Sequence, residues 1–162
     1  MRALSARFPG ADPDEWGMAG LLHDLDYEKY PDQHCHKAAE ILQEDGYDNT
    51  LIRAVMSHGY GIVTDIKPER DLEKVLYTID ELTGLIMAAA LMRPSKSVLY
   101  LELKSLKKKY KTPSFAAGVD RSIIEKGAEM LSWTLDDVLD STIQAMRTVA
   151  TEIGLDGSAA NT

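Results

Sequence analysis

From about Glu69 to Met92 the chain runs without a proline, and Leu72, Leu76, Ile79, Thr83 and Ile86 form one stripe along it. Residues three and four apart share a helix face, so this stretch predicts a long amphipathic helix that Pro94 ends. The rest of the chain reads the same way. Met1 to Phe8 has the pattern of a helix end, closed by Pro9-Gly10. Asp12-Pro13-Asp14-Glu15 is a start signal, with an N-cap aspartate, proline in the first turn and acids behind it. That helix carries Trp16 and Leu21 and delivers His23-Asp24 near its end.

After a loop through Tyr30-Pro31-Asp32, a helix is predicted from about His34 to Asp45, stopped by Gly46. Asp48-Asn49 caps the next, Thr50 to His58, and Gly59 to Pro68 is irregular. Ser95 to Tyr110 is amphipathic and basic. Asp120 caps a helix ending near Ser132, and Thr134 to Ile153 makes the last, stopped by Gly154. No strand alternation, repeat or linker interrupts the series. The expectation is an all-α, single-domain helical bundle over residues 1–154, with 155–162 a disordered tail.

Composition removes several function classes. A chain of 162 residues is long enough for one domain and short for two. The net charge of -8 argues against general nucleic-acid binding, which favours a basic footprint. No apolar run approaches the ~20 residues a membrane span needs, so no membrane association is expected. Cys35 is the single cysteine, which rules out an internal disulfide and suits a reducing, cytoplasmic setting.

Against that background the polar residues on apolar faces stand out. His23-Asp24 lies inside Met18-Ala-Gly-Leu-Leu-His-Asp-Leu. His58 shares the i, i+3, i+4, i+7 face of Leu51, Ala54 and Val55, and Asp80 sits on the edge of the Leu72 to Ile86 stripe. An unpaired carboxylate there is costly to bury. His34 opens its helix, where it can point back at a neighbouring element. Each of these has an ordinary reading: a hydrogen-bonded core histidine, a chance dipeptide, a buried partner for an arginine. Imidazole and carboxylate are also the usual protein ligands for zinc, iron and manganese. Taken jointly on separate elements, His23, Asp24, His34, His58 and Asp80 point to a metal ion. Cys35 and His36 are read as having no role.

These residues resemble the HD-domain superfamily of metal-dependent phosphohydrolases. The likeness is carried by Gly20-Leu-Leu-His-Asp-Leu-Asp-Tyr, His34-Cys-His-Lys-Ala-Ala-Glu-Ile-Leu, Ile52-Arg-Ala-Val-Met-Ser-His58 and Leu76-Tyr-Thr-Ile-Asp80-Glu-Leu. It covers roughly residues 13 to 90, and small HD-domain proteins that also carry an Arg-Pro-Ser-Lys-Ser segment, here Arg93 to Ser97, extend it to nearly the whole chain. The resemblance implies that His23, Asp24 and Asp80 bind a first divalent metal. His34 and His58 bind a second in two-metal members, with Asp24 bridging. The metal would be Mn, Fe, Co, Ni, Mg or Zn, one or two per chain. The family's first histidine has no counterpart upstream of His23. Since the opening helix pattern has no cap before it, the expectation is that the natural protein begins earlier and supplies that ligand, or that the first site is depleted.

The implied activity is hydrolysis of a small phosphorylated compound, a phosphomonoester or nucleotide, by a metal-bound hydroxide. Asp24 is central to it. Asp26 or Glu28 can orient the nucleophile or shuttle a proton; the other reading of both is a solvated loop acid. Between Arg93 and Lys111 the chain has Arg93, Lys96, Lys104, Lys107, Lys108, Lys109 and Lys111 against one acid, Glu102. Lys107 to Lys111 are taken as a solvated face, and Arg93 and Lys96 as candidates for substrate phosphate. Two other readings stand beside hydrolysis: a non-catalytic or degenerate metal-binding module, and a di-iron oxygenase.

Overall fold

The computed structural model describes residues 1–158. Among these the regular structure is eight helices: α1 (Arg2–Ser5), α2 (Pro13–Leu22), α3 (His36–Glu44), α4 (Asn49–His58), α5 (Asp71–Leu91), α6 (Leu103–Tyr110), α7 (Arg121–Leu131) and α8 (Leu135–Thr148). The fold is all-α, as the periodicity predicts. Two compact units divide it, Met1–Tyr77 and Thr78–Thr162, and α5 runs through the boundary.

In the first unit α2 and α4 begin where an N-cap side chain satisfies orphan amides of the first turn. The Asp12 carboxylate accepts from the Asp14 amide at 2.9 Å, and Asp48 accepts from the amides of Thr50 at 2.8 Å and Leu51 at 3.0 Å. Between α3 and α4 a small core forms from Ala38, Leu42 and Val55, with Leu22, Leu25 and Ile52 packed against it. Arg53 donates to the Lys67 carbonyl and pairs with Glu69 and the wholly buried Glu73, which holds the 59–68 loop beside α4. The start of α3 corrects the expectation. It begins at His36, not His34, because Cys35 has φ 66°, a left-handed conformation that a helix interior does not admit. His34 instead follows the 3₁₀ turn Pro31–Gln33.

In the second unit, Leu82, Leu85 and Ile86 of α5 pack with Leu106 of α6, Ile124 of α7 and Leu139 and Ile143 of α8. The caps fall where expected: Asp120 accepts from the Ser122 amide at 2.9 Å, and Thr134 and Asp137 form a reciprocal capping box. Three boundaries differ from the sequence reading. The basic segment becomes helical only at Leu103, since Ser97 forms a bridge with Asp156 and the Val98 amide donates to the Leu155 carbonyl at 2.9 Å. The last helix ends at Thr148, not Ile153. Leu155 is buried against the core and not the start of a disordered tail; residues 159–162 of that tail lie outside the described residues. The lysines of α6 follow the expectation, with Leu106 and Tyr110 buried on the opposite side and Lys107 paired to Asp136 at 2.6 Å.

Gly127 makes the α7 packing testable. A Cβ built there collides with Thr78 Oγ1 and stands 2.9 Å from the Thr78 backbone Cα, so backbone must move to admit it. Gly127→Ala should lower stability by roughly 2–3 kcal/mol despite alanine's better helix propensity. Urea unfolding followed by circular dichroism measures this; an unchanged midpoint would refute the close packing.

Candidate metal centre

The end of α2, the turn after it and the break before α3 place three imidazoles around one carboxylate. His23 is the C-cap of α2, and its Nδ1–H donates to the Gly20 carbonyl at 2.9 Å. His34 donates from Nδ1–H to Asp26 Oδ1 at 2.9 Å, and His58, the last residue of α4, donates from Nδ1–H to the Val55 carbonyl. A carbonyl or carboxylate can only accept, so each Nδ1 carries the proton and each Nε2 presents its lone pair.

Those lone pairs converge on Asp24. His23 Nε2 lies 3.4 Å from Asp24 Oδ2, while His34 Nε2 and His58 Nε2 lie 3.5 and 3.6 Å from Asp24 Oδ1. The Nε2 atoms of His34 and His58 are 3.1 Å apart. Four acceptors facing one another repel unless positive charge sits among them, as protons or as a metal cation. The carboxylate separations are long for hydrogen bonds. All are shorter than twice the ~2.0–2.2 Å length of a metal–nitrogen or metal–oxygen bond, so one cation can reach each facing pair. Where protons and not a cation separate these acceptors, hydrogen bonding and charge from His23, then from His58, hold the Asp24 carboxyl well below the usual carboxylate range, with burial opposing them. It is therefore anionic at neutral pH, as a ligand must be.

Asp26 departs from the reading of a solvated loop acid. It is wholly buried; its Oδ1 accepts from His34 and its Oδ2 from the Ala38 amide at 2.9 Å. Both oxygens are committed, so Asp26 orients His34 and braces the start of α3. Such a carboxylate fixes the tautomer and raises the basicity of a ligating imidazole. Glu28 is exposed, in keeping with a solvated acid.

Cys35 is a residue the sequence reading set aside. Its side chain is wholly buried, and its Sγ lies 3.9 Å from both ring nitrogens of His58. It precedes α3 in a left-handed turn, so helical spacing does not decide where its side chain lies. No sequence signal marks that turn. His36 stays outside the cluster, with Nε2–H donating to the Val63 carbonyl at 3.0 Å. Asp80 lies on α5 in the second unit, as do Arg93 and Lys96 in the turn that follows that helix. Among the described residues, Arg93 Nε and Ser95 Oγ are buried polar atoms with no hydrogen-bond partner.

A family model described as the HD domain matches residues 1–99. Searches of curated proteins and of solved structures returned no match.

Proposed function

Because this chain belongs to the HD-domain family, we propose that it is a metal-dependent hydrolase of a small phosphorylated compound. The observation that carries the reading is the convergence of three imidazole Nε2 atoms, from His23, His34 and His58, on the anionic Asp24. In this reading His23, Asp24 and Asp80 would hold one divalent ion, and His34 and His58, with Asp24, would hold a second. Such an ion would supply Lewis acidity towards a phosphoryl oxygen and make water a nucleophile at neutral pH.

The chain's own contribution is orientation. Gly20, Asp26 and Val55 lock the three rings in the ligand tautomer, so little reorganisation is needed when charge develops. Arg93 and Lys96 are the residues we assign to the substrate phosphate. The buried Arg93 Nε and Ser95 Oγ support that assignment, since buried donors call for an acceptor and phosphate oxygens supply one. No described helix is long and apolar enough to cross a membrane. A small soluble substrate and a cytoplasmic setting complete the proposal.

The test is a panel of phosphomonoesters and nucleotides offered to protein whose manganese or cobalt content has been measured. Phosphate release that a chelator abolishes is expected. Chelation should also lower Tm by about 5–10 °C, the effect of removing a ligand held at 100-fold its Kd. Loaded protein that releases phosphate from no member of the panel defeats the reading. Chelator-sensitive melting without turnover would indicate a non-catalytic module, and oxygen uptake by iron-loaded protein would indicate oxygenase chemistry.

A further inference from the structure

We infer that the Cys35 thiolate is a ligand at the His34–His58 position, which makes that position select a thiophilic divalent cation such as zinc, iron or cobalt over magnesium. The inference rests on the proposed metal centre and specifies its chemistry.

Three donor atoms, one each from His34, Cys35 and His58, lie within 4.8 Å of one another. Two of the three residues are buried and the third is half-buried, so solvent competes little for an ion among them. The rings are already oriented from outside the cluster by Asp26 and the Val55 carbonyl. The sulfur is held there at some cost. Cys35 has φ 66°, a region unfavourable for a residue with a Cβ and one that concentrates at functional sites.

Space for the sulfur comes from Gly59, which directly follows His58. A Cβ at that position would stand 2.7 Å from Cys35 Sγ and 2.6 Å from Val63 Cγ2. A strained backbone at one residue and a missing side chain at another thus bring a thiol to two imidazoles. Thiolate with imidazole suits zinc, iron and cobalt, whereas magnesium prefers an all-oxygen shell. On coordination the thiol gives its proton to solvent, and the sulfur–metal bond takes its place.

Cobalt(II) is the probe, because a cobalt–thiolate bond gives an intense near-ultraviolet charge-transfer band that imidazole and carboxylate ligands do not. The metal-free protein is titrated with cobalt(II) to two equivalents, alongside Cys35→Ser and Cys35→Ala. Wild type should develop both the visible cobalt bands and the charge-transfer band. In both variants the visible bands should persist, the charge-transfer band should vanish, and zinc affinity should fall at least tenfold while magnesium affinity is unchanged. Visible cobalt bands without charge transfer in wild type overturn the role of Cys35 and leave the metal centre standing. No cobalt uptake at all overturns both. The wild-type spectrum decides the matter even if a variant fails to fold.

Discussion

Asp24→Ala is expected to cut metal-dependent phosphate release sharply while the helical fold survives. Both oxygens of Asp24 face imidazoles, Oδ2 towards His23 and Oδ1 towards His34 and His58, so its removal takes the shared anionic group from all three. Neutral imidazoles remain, and they bind a divalent ion without offsetting its charge. Loss of an outer-shell partner already costs 10–100-fold in affinity or activity, so loss of this proposed ligand should lower turnover by at least about 10³-fold. The fold should tolerate the change, because the Asp24 side chain is 48% exposed and belongs to no core cluster. Metal stoichiometry by elemental analysis, turnover on the best ester and metal-free melting would be read together. Unchanged turnover would remove Asp24 from the chemistry, and collapse of the metal-free fold would make its role structural.

The acid response follows from the same contacts. A carboxyl held below its ordinary value of 3.8 stays ionised on acidification past that value. Its stabilising contribution is fully present above pH 3.8 and is lost as pH falls through the lower folded value. Mild acid therefore leaves Asp24 charged.

Local signals were legible in the sequence wherever a short-range hydrogen bond decides the structure. Asp12, Asp48 and Asp120 each cap the helix their position predicts, because the acceptor and its amide lie two or three residues apart. Failures occur where the partner is distant. Nothing near Ser97 announces that Asp156 will pair with it, so the helix predicted from Ser95 begins instead at Leu103. The candidate centre divides in the same way. His58 is legible from helical spacing, His23-Asp24 from its place in an apolar stretch, and His34 from the family resemblance. The burial of Asp26 was not, since an acid in a turn reads as solvated until His34, eight residues on, is seen to use it. Cys35 was hidden by a backbone angle that residue types do not encode for cysteine.

Asp26→Ala should be the most destabilising change at the centre. The carboxylate is wholly buried and serves two donors, His34 Nδ1–H and the Ala38 amide, at 2.9 Å each. Alanine leaves both donors without an acceptor, at roughly 1–3 kcal/mol each, for a total of about 2–6 kcal/mol. Asparagine fills the same volume, yet either placement of its NH₂ group turns a donor towards a donor, so it should recover only part of the loss. Metal affinity should fall 10–100-fold in both variants, because His34 is then free to rotate or to take the other tautomer. Urea unfolding of the metal-free proteins isolates the stability effect, and isothermal titration of those that remain folded isolates the affinity. A variant as stable as wild type would mean that water replaces the carboxylate at no cost. Intact affinity in a destabilised variant would mean that α3 alone, and not the Asp26–His34 bond, positions the ring.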